Sequence, residues 1–537
     1  MFATFGVGNV RPKKIDPKDV PEPTPVILPR YQPVATQPGS QPPPSESLTS
    51  LLEHTGRVNG SLMGPVGLRA LGLDLSLDVS KEDLVPDAAY VPDFEQWDRL
   101  SQDDAQEQNQ STRRPLRNGN LSPGCQTYLE RTRELSHANN DSFRTVRRIP
   151  PPRGKQQARL GNAYEFFRCL ETMTSFWDDP TQPPDTPPSP EETGRPDEEA
   201  GGPSTSDGKP AAEAGQDDGD DGGKPVRTAS GQSMPADFRQ SLIVAFIKLV
   251  AYDFGCSVSM ARNEPRLQLS SPLGSRSPRK SYIPSTCAFV FQSPTTREAA
   301  RGGLVYGPVA AVSARATTDM TKPDVETAQS LDLAREVVAA LITAQHRARE
   351  GKEEVRFGEG QWWTQQKRWG GGPGGPIGRE IDRDAVQGDK DVRPTSGGSG
   401  SGSGSGGEGG PPLAKKPRKN MSAYDSYRMV RPPAGTWDKK ARYEAIGKLR
   451  GADYDDVLVI SSLFHHVSIL RVRVPDRLLE VLGGAEGGAD GTGVQAWRSP
   501  WFDLYDVQQR IEAMRYMWCV MAYMMRKDEG DVVMRDA

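Results

Sequence analysis

The sequence predicts an α+β fold, organised as one composite domain (or two packed domains) interrupted by long disordered insertions and preceded by a disordered N-terminal region. Three observations predict it. Apolar residues recur at helical spacing over 235–254 and 331–350, and short β-branched runs lie between and after them. Stretches rich in Gly, Pro, Ser and acidic residues separate these patterns. The chain as a whole is polar: 35% of its 537 residues are hydrophobic, against 55 Gly and 47 Pro, and mean hydropathy is -0.64. That is too little apolar surface to offset the ordering entropy of every segment.

Residues 1–157 read as the disordered arm. Pro21-Glu-Pro-Thr-Pro25 and Pro42-Pro43-Pro44 favour extended, solvated backbone. Two apolar islands interrupt it, Leu68–Leu77 and Tyr90–Leu100, the second with Phe94 and Trp97. Each reads as tail hydrophobes or as a segment that folds onto a partner.

The first ordered helix is expected within 158–178, where Tyr164, Phe167, Leu170, Met173 and Trp177 follow helical spacing and Pro180 stops it. Residues 179–234 read as a disordered acidic insertion. From Asp178 to Asp221 there are fourteen acidic residues and two basic ones, a solubilising run or an acidic interaction tail.

The core segment 235–375 opens on a helix. Phe238, Leu242, Phe246 and Leu249 form one side, and Ile243, Val244, Ile247 and Val250 widen it until the helix is apolar over most of its circumference. Gly255 is placed to end it. Strands are expected at Arg266–Leu269, Cys287–Phe291 and Leu304–Val312. A second helix, Leu331–Glu350, carries the stripe Leu331, Ala334, Val338, Leu341 and Gln345.

Residues 376–420 read as a Gly/Ser-rich linker, and 421–527 as a C-terminal α+β core segment followed by a tail, 528–537. Val457–Ile460 and Ser468–Val474 read as strands. The second alternates Leu470-Arg-Val472-Arg-Val474, the pattern of a half-buried strand. A short helix is expected from Pro475 to Leu482. A final helix begins near Asp506, with Gln509 three residues later as in a capping box, and carries Ile511, Met514, Trp518, Met521 and Met525.

Composition excludes several function classes. The five cysteines, Cys125, Cys169, Cys256, Cys287 and Cys519, are odd in number and far apart, which fits buried thiols in a reducing compartment and neither a disulfide framework nor a cysteine zinc site. The N-terminal Met-Phe-Ala-Thr-Phe-Gly run has no apolar h-region, so a secretory leader is not expected. The longest apolar run, Tyr516–Met525, is too short for a membrane span of about 20 residues. No HExxH, nucleophile elbow or phosphate loop is present, and a site assembled from distant residues leaves no local motif. The Gly370–Gly378 run lacks the Gly-Lys-Ser/Thr ending of a phosphate loop. His465-His466 is the one histidine pair. Read as strand residues, the two rings point to opposite faces and do not chelate together, so neither a metal nor another cofactor is expected.

Three local signals remain. Lys415-Lys416-Pro417-Arg418, followed by Lys419, resembles a monopartite nuclear import signal, and its linker setting suits the extended, exposed backbone such a signal needs. The resemblance implies a nuclear location, with the cytoplasm as the alternative, and implies nothing about activity. Ser277-Pro278-Arg279-Lys280 has the pattern of a proline-directed phosphorylation site, with Ser271, Ser293, Ser189 and Thr186 as weaker versions. Trp362, Trp363, Lys367, Arg368 and Trp369 interleave aromatics with cations, a composition suited to partner contact, to stacking on bases, or to covering a domain edge.

The sequence therefore predicts a nuclear, non-enzymatic regulatory or scaffold protein that acts by protein–protein interaction, in transcription or chromatin regulation, with no membrane association. Two other classes stand beside it. One is an enzyme of unfamiliar fold with scattered catalytic residues. The other is a nucleic-acid-binding protein using the Trp cluster and the basic stretch Arg262–Arg301, which holds seven basic and two acidic residues.

Overall fold

A computed structural model of the chain describes residues 20, 23, 25–33, 47–53, 64–177, 234, 236–259, 265–275, 280–293, 304–315, 325–350, 442–486 and 492–527. In chain order these form α1 (Leu48–Glu53), α2 (Pro65–Ala70), β1 (Asp74–Ser76), α3 (Lys81–Leu84), α4 (Phe94–Asp98), α5 (Gln102–Gln108), α6 (Cys125–Leu135), α7 (Asn139–Val146) and α8 (Tyr164–Met173). Next come α9 (Ala236–Ala251), β2 (Cys256–Ser259), β3 (Arg266–Ser270), β4 (Lys280–Pro284), β5 (Ala288–Gln292), β6 (Leu304–Arg315) and α10 (Val325–Arg347). The last are β7 (Arg442–Glu444), β8 (Tyr454–Leu463), β9 (His466–Pro475), α11 (Asp476–Leu482), β10 (Gln495–Arg498), β11 (Phe502–Asp503) and α12 (Val507–Met524). The fold is α+β, with one mixed sheet.

All three parts of the chain contribute strands to that sheet. Its order is β1-β10-β9-β8-β6-β5-β2, with β11 also beside β9 and β7 beside β6. β2, β5 and β6 are antiparallel neighbours in the sheet, α10 crosses over, and β8 returns parallel to β6 with Ala311 opposite Val459. β9 then pairs antiparallel with β8 over ten residues. The hairpin β3–β4 stands apart as a two-stranded sheet.

Side-chain alternation splits the sheet into two apolar faces. Leu458, Ile460, Val467 and Ile469 join one core with α4, α6, α8, α9 and α12. Val457, Val459, Leu470, Val472 and Val474 join the other, with α2, α10, α11 and the β3–β4 hairpin. The result is three layers, helices on both sides of a buried sheet.

The expected helices and strands of the two core segments are present. α9 ends at Ala251, and the turn that follows closes on Gly255, whose φ of 74° is the left-handed region glycine tolerates. Asp506 caps α12, its carboxylate accepting from Gln509 N at 2.8 Å. The Gln509 side chain does not complete a capping box: it accepts from Asp503 N at 2.9 Å and ties the helix to β11.

Two expectations are corrected. Residues 64–157 are not a disordered arm. Leu68, Leu71, Leu73 and Leu75 of the first apolar island enter one core, and β1 adds a parallel edge strand. Phe94 and Trp97 of the second enter the other core, where Trp97 and Tyr128 meet Trp518 edge-on at 6.2 and 5.8 Å. Each of these elements is short, so its periodicity is weak by itself and its apolar residues find partners only in the assembled core. The second correction concerns β9, which is not half-buried. Arg471 is 5% exposed; its Nε donates to Asp456 at 3.1 Å, and its guanidinium lies 4.2 Å from the centre of the Trp497 ring. A cation can occupy this inner position because a buried carboxylate and an aromatic face take the place of water.

The five cysteines are buried and unpaired, as expected. Burial pushes the Cys169 and Cys287 thiols up to about 11, so they are not reactive thiolates. Among the described residues no helix is long and apolar enough to cross a membrane.

Candidate functional site

The helix α10 carries, besides its apolar stripe, a second and polar one. Asp332, Glu336, Thr343 and Arg347 recur at helical spacing, and all are buried. This stripe faces the sheet and organises charge at both ends of the parallel pair β6–β8.

At the C-terminal ends of β6 and β8, Glu336 accepts from three groups. Arg315 Nη2 of β6 lies 2.8 Å away, Arg498 of β10 makes a close second ion pair, and the Ser461 hydroxyl of β8 donates a close hydrogen bond. Arg315 also pairs with Asp332 through Nε. Trp501 shares its ring with both guanidinium groups, at 5.2 and 5.4 Å. Burial pushes the Glu336 carboxyl up, but Arg315 and Arg498 outweigh it and hold the carboxyl below its ordinary range. At Asp332 burial wins over Arg315, and the neighbouring Glu336 adds to it, so its carboxyl is raised. Two arginines balance two carboxylates, and none of the four side chains is more than 5% exposed. Proton transfer to a substrate requires a group within reach of it, so this cluster acts as an internal clamp joining β6, α10, β8 and β10.

The opposite end of the stripe borders a cleft of about 700 Å³. Arg347 is buried and spans the floor, donating through Nε to Pro308 O at 2.8 Å and through Nη2 to Val309 O at 2.7 Å, while Nη1 meets Asp455 Oδ1 at 2.7 Å. Burial pushes the Asp455 carboxyl up against the pull of Arg347. Arg117, Arg349, Lys448 and Arg450 also line the cleft, facing Glu350, Asp476 and Glu480. Much of this cationic charge is committed. Lys448 Nζ meets both Asp476 oxygens at 2.5 and 2.8 Å, and Arg117 pairs with Glu444 at 2.6 Å.

The cleft lies at the stem of segment 351–441. Glu350 Oε1, at the end of the described residues before the segment, accepts from Ala445 N at 3.1 Å. Arg117 Nη1 donates to Ala445 O at 2.9 Å, so residues 117, 350 and 445 form one clasp. Gly447 keeps the clasp close to the core: its φ is 92°, and a Cβ there would collide with the Met524 methyl. Both ends of a very long excursion are thereby held together.

Every site residue predicted from local motifs falls outside the described residues: Lys415, Lys416, Arg418 and Lys419; Ser277; and Trp362, Trp363, Lys367, Arg368 and Trp369. The structure does place two of the weaker phosphorylation candidates. Ser271 is 5% exposed and so is not open to a kinase, whereas Ser293 is only partly buried. The strand premise for His465-His466 does not hold either. Phe464 and His465 form the two-residue turn between β8 and β9, with Phe464 in the left-handed region at φ 54°, and the two imidazole rings lie 4.3 Å apart.

The buried charges were missed because acidic and basic residues on a helix ordinarily mark a solvent face. One signal could have found them. Between Glu336 and Thr343 the helix is the unbroken apolar run Val337–Ile342, which leaves little solvent-facing surface there to justify a charge. No protein-family model, curated protein or solved structure matches the chain.

Proposed function

We propose that this is a nuclear, non-enzymatic regulatory or scaffold protein, and that its three-layer core carries segment 351–441 as a partner-binding loop. The observation that carries the reading is the clasp of Glu350, Ala445 and Arg117, which holds the two ends of the segment together on a buried ionic floor. The segment contains both the Trp362-Trp363 and Lys367-Arg368-Trp369 cluster and the import-like Lys415–Lys419 run. Partner contact through tryptophan and arginine anchors and import through an exposed basic run are compatible with one loop. The commitment of cleft and sheet-end cations to carboxylates also supports a structural use of these charges. Transcription or chromatin regulation follows as the setting from the nuclear location.

The test is localisation of a fluorescent fusion beside two variants. In one, Lys415, Lys416, Arg418 and Lys419 become Ala; in the other, 351–441 is replaced by a short Gly/Ser link, which the clasped ends permit. The proposal expects nuclear signal in the parent and its loss in both variants, with the link variant retaining its circular dichroism spectrum. Cytoplasmic signal in the parent, or nuclear signal retained by the link variant, would overturn it.

A further inference from the structure

The β8–β9 turn gathers a set of side chains that no part of the proposed function uses. β11 pairs with the start of β9, which puts Asp503 opposite His466. One ligand atom from each of His465, His466 and Asp503 lies within 4.8 Å of the others. His465 Nε2 is 3.5 Å from Asp503 Oδ1. The backbone fixes the carboxylate, since Tyr505 N donates to Asp503 Oδ1 at 2.8 Å.

The ring nitrogens point to a ligand. Nδ1 of His465 and Nδ1 of His466 are both buried and have no hydrogen-bond partner. His465 is 1% exposed, and the ring of Trp177 stands 6.0 Å from its own while packing edge-on against Tyr505 at 4.7 Å. A buried polar atom without a partner is costly, and two in adjacent rings call for an explanation. One nitrogen of each ring lies close to the Asp503 carboxylate, where a neutral imidazole can offer a cation its lone pair.

We propose that His465, His466 and Asp503 form a binding site for a divalent transition-metal ion of the zinc class. Two imidazoles and one carboxylate match the borderline donor preference of Zn²⁺ and Co²⁺. Mg²⁺ and Ca²⁺ prefer oxygen ligands and are disfavoured here. Three protein ligands leave the remaining coordination to water or to a side chain of a partner. The hydrogen bond from Tyr505 N acts as the outer support that orients a ligating carboxylate.

The site is tested with the full chain after treatment with a chelator, titrated with Co²⁺ and followed by d–d absorption, with Zn²⁺ added to displace it. The proposal expects bands that saturate at one equivalent and disappear on adding Zn²⁺. His346→Gln, a buried histidine outside the cluster, should leave them unchanged. His466→Gln should weaken binding at least tenfold with an unchanged circular dichroism spectrum. If His466→Gln fails to fold, Asp503→Asn, at a less buried position, gives the same reading. Absence of saturable bands in the parent, or their retention in folded His466→Gln or Asp503→Asn, would overturn the proposal.

Discussion

Arg347 and Asp455 meet at 2.7 Å with both side chains withdrawn from water, and they stand on opposite sides of segment 351–441. This pair joins the end of α10 to the start of β8 beneath the clasp. Removing one member leaves the other charge buried without compensation. Arg347→Met is expected to cost about 3–5 kcal/mol, read as a lower urea midpoint. Arg347→Met combined with Asp455→Leu should recover part of that loss, since no lone charge remains. A double variant no more stable than the single one would contradict this account of the pair.

The second prediction concerns the N-terminal third. Trp97 is 6% exposed and packs against Phe94, Tyr128 and Trp518. Trp97→Ala should destabilise the core by about 3–5 kcal/mol, the range for truncating a buried aromatic. Thermal unfolding followed by far-ultraviolet circular dichroism measures it. A change within about 0.5 kcal/mol, typical of exposed sites, would mean that residues 64–157 are not part of the core.

His346 links stability to pH. It is 2% exposed, with its ring 5.8 Å from that of Phe289. Burial, and then Arg349, hold its pKa well below the ordinary value of 6.5. The unfolded chain takes up a proton as pH falls through about 6.5, and the folded chain does so only at much lower pH. The associated stability is therefore fully present above pH 6.5 and declines below it by up to about 1.4 kcal/mol per unit. Urea unfolding at pH 7.5 and 5.5 in the presence of a chelator should show a smaller pH effect in His346→Gln than in the parent. Equal effects would contradict the assignment.

Much of the architecture was legible in the sequence for a physical reason. α9, α10 and α12 are long enough for periodicity to emerge, and β8 and β9 are long enough for their apolar runs to stand out. The rest depended on contacts between distant residues. Arg498 and Glu336 are 162 positions apart, and nothing near either residue shows that it is neutralised. β9 was misjudged because Arg471 and Arg473 resemble a wet face, yet Asp456 pairs with both from the neighbouring strand. The placement of His465 on a strand was misjudged, because one residue of turn changes where a ring points. α4 was missed because five residues show little periodicity, and Trp97 meets Trp518 only in the assembled core.

The central claim is that the core closes across segment 351–441, through β6 pairing with β8 and Arg347 pairing with Asp455. The most direct test is cleavage of the folded full chain at a protease site placed within the segment, followed by size-exclusion chromatography under native conditions. The account predicts that the two products elute together as one particle of nearly the parent size, with an unchanged circular dichroism spectrum. Separation of the products into independent species would contradict it.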